Sequence, residues 1–471
     1  MNNARPFSII PLCLVSFLLA FNYFILKALK DTMLVTAPDA GAEAIPFVKM
    51  WLLFPISIVF IGSFSWIAHR ISLRAAFTSI IAFFLVSYAL FSFVCFPYRE
   101  QLHLNHLANS LTAILPQGWG GLVAVVRYWS YSLFYVTAEC WCTMVYSVVF
   151  WGYANDVTKF HEAKKYYPYL TLSGTIAALV SGPIAIFLSN GSAGAWIPFG
   201  HTPWEQSLYA LTLLVLLCGV SALLIFLRLC PRAELKKTEV EEPKTSFLQS
   251  MRSVLQSRYL FLLASIGFTY NLVINLTDVI WKNEILKLYP DPGHFTAYLS
   301  GVTFMTGVIS TLFTVFVCRQ SLQRFGWTFT TMITPVIALV TGLFFFGSLY
   351  LNELDVWSIS LSTITFLGSM HICLSCGGKY TLFEPAKEIA FIPLDSKQKL
   401  NGKVAIDGVG TRLGKTSSSL IYQLLLMNVP TITACTPFVA LMIFGAILIC
   451  MFCVNLLGKE IGSHSTEAVS A

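Results

Sequence analysis

Charge is the scarcest ingredient of this chain. Asp, Glu, Lys and Arg supply only 11% of its 471 residues, against 56% hydrophobic residues. Soluble domains carry about a quarter charged residues, so a fully water-facing surface cannot be assembled from this supply. The composition fits a chain whose outer surface faces lipid, where each span takes about 20 predominantly apolar residues. A disulfide or metal framework is also missing. Of twelve cysteines, Cys373 and Cys376 form one C-x-x-C and Cys450 and Cys453 another. Cys373 and Cys376 sit inside an apolar run and read as small packing residues of a helix. None of the eight histidines has zincin spacing, and no nucleophile–base constellation stands out. Neither a metal nor a cofactor is expected. There is no Ser- and Arg-rich transit segment, and the run from Phe7 to Leu26 is longer than a signal-peptide core. It reads as an uncleaved first helix.

Apolar runs are what the chain has in quantity. Twelve can be counted, at roughly 7–29, 46–67, 73–97, 121–151, 168–189, 206–228, 259–281, 296–318, 328–350, 355–379, 404–428 and 431–456. The fourth is long enough to tilt or to extend beyond a bilayer. Basic residues cluster in alternate connections: Arg70 and Arg74, then Lys159, Lys164 and Lys165, then the stretch from Pro231 to Ser257, then Arg319 and Arg324, and last Lys387, Lys397, Lys399 and Lys403. The intervening connections hold few or none. This alternation predicts both termini and the central loop in the cytoplasm, and it explains the net charge of +7 without a nucleic-acid partner.

The expected fold is an all-α polytopic membrane protein of 12 transmembrane helices in two six-helix halves, major-facilitator-like by analogy. Residues 1–230 form the N-terminal half, 231–258 the cytoplasmic central loop, 259–458 the C-terminal half and 459–471 a cytoplasmic tail. In that architecture the substrate site lies near the bilayer midplane between the halves.

Ionisable residues inside the spans are therefore the informative ones. Each costs roughly 2.5–3.5 kcal/mol at the centre of a span, so it faces a pathway or a partner. Lys27, Lys30 and Asp31 close the first run. Lys27 and Asp31 are four apart and can pair along one helix face, leaving Lys30 available; a snorkelling interface cluster is the competing interpretation. Glu139 lies deep in the fourth run, where snorkelling is hard. It needs a cation, a proton or a water-filled cavity, and Arg127, about 18 Å away along a helix, cannot be its direct partner. Asp278 stands near the end of the seventh run, where an interfacial helix-end carboxylate is a fair alternative.

The stretch DGVGTRLGKTSSS, residues 407–419, is nearly a P-loop. Its Gly414-Lys415-Thr416 fits, but position 409, where the first glycine belongs, is Val409. A true P-loop follows a buried strand, whereas this stretch leads into an apolar span. Asp407, Thr411 and Lys415 are spaced four apart and stack on one helix face, with Arg412 beside them. Lys27, Lys30, Arg412 and Lys415 are thus candidate binders of a polyanion. Glu139, Asp278, Asp31 and Asp407 are candidates to pair with those cations or to carry protons.

Several segments together resemble the bacterial and plastidic ATP/ADP translocase family. They are LKALKDTMLVTAPDAGAEAIPFVKMW (26–51), AECWCTMVYSVVFWGYANDVT (138–158), NLVINLTDVIWK (271–282), YTLFEPAKEIAFIPLD (380–395) and KVAIDGVGTRLGKTSSSLI (403–421). The resemblance implies twelve spans and nucleotide transport, not an enzyme. It places the family's functional lysines on Lys30 and Lys415 and its membrane glutamate on Glu139. The seventh-span acid, usually glutamate, is Asp278 here, and A-E-C-W-C replaces the commoner A-E-L-W-G. The implied activity is exchange of ATP for ADP across a bacterial inner membrane by alternating access, in a monomeric carrier whose partners are the nucleotide and the lipid bilayer. Proton-coupled import of ATP, GTP or UTP and NAD:ADP exchange are the alternatives. A membrane-embedded enzyme acting on lipid-linked phosphates is the competing class.

Overall fold

The computed structural model describes residues 9–68, 72–158, 160–191, 197–230, 254–391, 394, 402, 406, 411–429 and 431–470. Most of the central loop, Asp407 and Lys397, Lys399 and Lys403 lie outside them. Among the described residues there is no strand, and helices make up most of them. Among the described residues ten helices are long and apolar enough to cross a membrane, and two shorter ones stand at the other two predicted runs. In chain order they are α1 (Ile10–Val35), α2 (Ala44–Phe60), α3 (Arg74–Cys95), α4 (Trp129–Asn155), α5 (Tyr166–Ser189) and α6 (Pro203–Leu229). There follow α7 (Arg258–Leu288), α8 (Pro292–Cys318), α9 (Gln320–Glu353) and α10 (Leu361–Ala390). The last two are α11 (Thr411–Leu426) and α12 (Ile432–Ile461). The chain is a multi-pass membrane protein.

Two boundaries differ from the apolar count for physical reasons. The long fourth run is not one helix: Gly120–Arg127 forms its own short helix, and the chain bends at Tyr128 (φ −101°, ψ 47°) before α4 begins. Polar ties hold that bend. The Tyr128 hydroxyl donates to the Pro38 carbonyl at 2.8 Å, and Arg127 reaches Asp39 at 3.3 Å and Asn109 at 3.0 Å. The tenth run starts later and ends later than its hydropathy suggests. Ser360 caps it, its side-chain oxygen accepting from the Thr363 N–H at 3.3 Å, and the helix carries on past Lys379 to Ala390.

The helices gather into two compact units. The first takes Met1–Pro116, Gly120–Lys236 and Tyr289–Gly307; the second takes Gln117–Trp119, Lys237–Leu288 and Val308–Ala471. At the centre of the first unit is α1, predominantly apolar and largely buried. A helix with that pattern belongs inside a bundle. Polar side chains pin it at three levels. Trp141 of α4 donates to the Leu19 carbonyl at 3.0 Å, Asn22 donates to the Val215 carbonyl of α6 at 2.9 Å, and Thr296 of α8 donates to Thr32 at 2.8 Å. Each bond satisfies a buried polar group that would otherwise cost about 1–3 kcal/mol. Aromatic packing fills the space behind, as where Phe77 stacks on Phe226 with centroids 3.8 Å apart.

In the second unit α7 holds the corresponding central place, with most of its span buried. Tyr259, Leu263, Ile266 and Tyr270 pack with Phe383, Phe391, Cys450 and Val454. Trp281 donates to Ser369 of α10 at 3.0 Å, and the Tyr422 hydroxyl of α11 donates to the Leu276 carbonyl. His371 of α10 is fully buried between Thr277 at 3.5 Å and Thr341 at 2.8 Å, where it serves as a helix-to-helix connector. Cys373 is buried, and neither Cys373 nor Cys376 forms a disulfide among the described residues. No metal-binding group of His, Cys, Asp or Glu occurs among the described residues.

Candidate functional site

Each unit encloses ionisable side chains within its spans. In the first unit the group is built on Lys30, which is 4% exposed. Its ammonium donates to Asp31 at 2.9 Å, lies 3.4 Å from Glu139 and sits over the Tyr135 ring, 4.0 Å from the centroid. Removing an ammonium from water is costly unless it is paired and hydrogen-bonded. Here two carboxylates and an aromatic face share that task, the ring adding a cation–π attraction. Asp31 is also buried, whereas the Glu139 side chain keeps 21% exposure. Glu139 is thus the looser and more accessible of the two acids. A π-helical turn, Trp141–Phe150, begins two residues after Glu139. Such turns interrupt the regular helix ladder and are frequent at functional sites.

This geometry changes the expected pairing on α1. Asp31 is held by its neighbour Lys30, and Lys27 is exposed, without an ion pair among the described residues. The spacing of four between Lys27 and Asp31 permits a pair. Burial decides against it, because Lys30 points into the bundle where the carboxylates are and Lys27 does not. Arg127 does not approach Glu139; it pairs with Asp39 on the loop after α1.

In the second unit Asp278 pairs with Lys282 one turn along α7 at 2.7 Å. Lys282 is 3% exposed, so the helix-end carboxylate neutralises a buried cation. Glu284 and Lys287 pair at 2.6 Å, and Lys387 pairs with Glu384 at 2.5 Å. Lys415 is exposed on α11, with Gly414 beside it buried against α7. A methyl group at Gly414 would lie 2.8 Å from the Asn271 Cβ and 3.0 Å from the Phe268 carbonyl oxygen. Arg412 and Thr411 lie in the described helix, but their side chains are outside the description, as is Asp407.

Lys282 and Lys379 were not among the sequence candidates. For Lys282 the signal was available: it stands four residues after Asp278, the spacing of a helical ion pair. Lys379 was hidden because the apolar run stops at it, whereas α10 continues for eleven more residues to Ala390. Its ammonium donates to the Asn271 side-chain oxygen at 2.8 Å.

Comparison with known proteins gives a consistent relationship along the whole chain. The profile of the TLC ATP/ADP transporter family matches residues 5–461. ADP,ATP carrier protein 1 of Chlamydia muridarum is 37% identical over 467 residues, covering 96% of this chain and 88% of the relative. The chloroplastic ADP,ATP carrier protein 1 of Arabidopsis thaliana is 33% identical, covering 92% of this chain and 71% of the relative. Among solved structures, a bacterial homologue of the iron transporter ferroportin in an inward-facing state aligns with a TM-score of 0.61 at 14% identity, over 96% of this chain and 98% of the other. The nucleoside transporter NupG aligns at 0.57 and 13% identity, over 95% of this chain and 99% of the other. At those identities the structural likeness speaks for a major-facilitator-like fold alone.

Proposed function

The chain belongs to the TLC ATP/ADP transporter family, and we propose that it exchanges ATP for ADP across the cytoplasmic membrane of a bacterium by alternating access. Lys30 and Lys415 bind phosphate oxygens, Glu139 is displaced from Lys30 by the substrate, and both termini and the central loop lie in the cytoplasm. The working unit is a single chain, and neither a cofactor nor a nucleic acid takes part.

The observation that carries this reading is the buried group of Lys30, Asp31 and Glu139 in the membrane-spanning part of the first unit. A purely structural lysine needs one carboxylate. This one has a tight partner and a looser, more accessible second partner, which is what a reversible anion site requires. With substrate absent, Glu139 returns to Lys30 and keeps the buried cation satisfied. Exchange of ATP(4−) for ADP(3−) moves one net charge, worth about 2.3 kcal/mol per 100 mV, so both the nucleotide gradients and the membrane potential set its direction.

Uptake of labelled ATP into proteoliposomes loaded with ADP, compared with empty ones, tests the reading. Exchange requires uptake that depends on internal ADP; equal uptake in both refutes it. Lys415→Ala abolishes uptake at unchanged expression, and near-normal uptake removes Lys415 from the phosphate site. A second reading, proton-coupled net import, is favoured by the same surplus carboxylate, since Glu139 could carry a proton once phosphate takes its place. It predicts uptake into empty vesicles, raised by an inward proton gradient.

A further inference from the structure

Lys379 of α10 has a neutral amide as its hydrogen-bond partner, unlike the buried lysines Lys30, Lys282 and Lys387. Lys30 has Asp31 and Glu139, Lys282 has Asp278, and Lys387 has Glu384. The Lys379 ammonium instead donates to the Asn271 Oδ1 at 2.8 Å, and among the described residues it forms no ion pair. An ammonium has three donors; the other two find no hydrogen-bond acceptor among the described residues. Both its partner and its backbone are fixed. The Asn271 Nδ2 donates back to the Gly267 carbonyl at 2.8 Å, which turns the Oδ1 toward Lys379. A π-helical turn in α10, Lys379–Phe383, starts at this lysine. Nearby, Gly414 lets α11 press against Asn271, and Lys415 follows it; Lys415, Lys387 and Glu384 are the charges that act on Lys379.

An amide orients a lysine without cancelling its charge. The arrangement therefore leaves a half-buried positive charge with donors to spare, within the field of Lys415, the cation proposed above to bind phosphate. That combination suits an oxyanion, which accepts several charge-assisted hydrogen bonds at once. A solely structural lysine would be expected to face a carboxylate, as Lys30, Lys282 and Lys387 do.

We propose that Lys379, oriented by Asn271, is a further substrate-contacting residue that binds a phosphate oxyanion beside Lys415. The inference rests on the adenine-nucleotide reading for the identity of the phosphate, but the subsite can be tested apart from it. Purified full-length protein in nanodiscs of zwitterionic lipid is titrated calorimetrically with ADP, AMP, adenosine, pyrophosphate and inorganic phosphate. The comparison covers wild type, Lys379→Gln, Lys379→Arg and Asn271→Asp, with thermal unfolding as the check on folding.

Lys379→Gln is expected to weaken ADP binding by about tenfold or more, the loss of a charge-assisted hydrogen bond. Lys379→Arg keeps the charge and most of the affinity. Asn271→Asp leaves the lysine in place but neutralises it, and weakens ADP binding to a similar degree; this arm decides the matter if Lys379→Gln does not fold. Adenosine binding stays the same in every variant. Wild-type ADP affinity in folded Lys379→Gln, or in Asn271→Asp, overturns the inference while leaving the exchange proposal standing. If wild type binds pyrophosphate or inorganic phosphate in a Lys379-dependent manner but no nucleotide, the oxyanion subsite stands and the nucleotide reading falls. Binding that appears only in nanodiscs with anionic lipid removed, and is displaced by added phosphatidylglycerol, assigns the subsite to a lipid headgroup and overturns its role in substrate binding.

Discussion

Replacing Gly414 by alanine tests whether the glycine before Lys415 is there for helix packing. The added methyl carbon would stand 2.8 Å from the Asn271 Cβ and 3.0 Å from the Phe268 carbonyl oxygen. Non-bonded carbons settle at about 3.5–4.0 Å, so the contact must open by roughly 0.7 Å or more. Neither obstacle is the free end of a flexible side chain, so α11 has to move away from α7. Overpacking of this kind costs about 1–3 kcal/mol. Displacing α11 also carries Lys415 and disturbs the Asn271–Lys379 bond. The expected result is a fall of a few degrees in the unfolding temperature and a several-fold rise in the KM for ADP. Gly445→Ala in α12 is the control: nothing lies within 4 Å of its added carbon, and alanine gains up to about 1 kcal/mol of helix propensity. Wild-type stability together with wild-type KM in Gly414→Ala would refute the packing explanation; equal losses in both variants would point to a general intolerance of alanine instead.

Glu139→Gln leaves Lys30 with Asp31 and removes the anion that competes with phosphate, so ADP binding tightens by about tenfold, ~1.4 kcal/mol, while exchange slows. Unchanged exchange kinetics would exclude Glu139 from the cycle. Asp278→Asn deletes the carboxylate 2.7 Å from the buried Lys282 and costs about 3 kcal/mol of stability. Asp278→Glu preserves the pair and keeps transport within about twofold, and thermal unfolding of the two variants separates these outcomes. His103 lies outside the spans, packed edge-on against Tyr128 and Tyr131 at 4.7 and 5.3 Å. Burial first, and then Arg99 and Arg127, push its pKa below the ordinary value of 6.5, with Glu100 opposing them. The folded state thus favours neutral imidazole, so this contribution to stability is present above 6.5 and is lost as the pH falls through the depressed value. An unfolding midpoint measured from pH 8 to pH 5 should lose part of its acid sensitivity in His103→Gln; an unaltered pH profile would exclude His103 as a source.

Much of the architecture is legible in the sequence because insertion into lipid imposes a simple constraint on composition. Runs of about 20 apolar residues mark the spans, and ten of the twelve predicted runs coincide with helices long and apolar enough to cross. Helix ends are less legible, because caps and single polar ties set them. Tyr128 and Arg127 break a continuous apolar run, and no hydropathy count registers the bond from Tyr128 to the Pro38 carbonyl. Buried charges could be recognised singly but not paired. The spacing of Lys27 and Asp31 is as good for an ion pair as that of Asp278 and Lys282, yet only the second pair is present in the fold. The difference lies in which face of α1 is buried, and neighbouring helices decide that. Lys379 is illegible for a related reason: as the last residue of an apolar run it resembles an interfacial anchor, although α10 continues beyond it to Ala390.

The near-P-loop around Gly414 and Lys415 shows how one dipeptide can answer two different physical demands. In a P-loop the glycine allows the backbone to approach a phosphate, and the lysine reaches the phosphates from the start of a helix. Here the glycine allows one helix to approach another, at Asn271 and Phe268. That approach leaves Lys415 on the open side of α11, exposed rather than buried. Asn271 is at once the surface against which Gly414 packs and the group that orients Lys379. One asparagine thereby couples helix packing to the placement of cations. A change at Asn271 that keeps its branched outline but not its oxygen, such as Asn271→Leu, should therefore largely preserve the α7–α11 contact and lose phosphate affinity. A change at Gly414 should damage both.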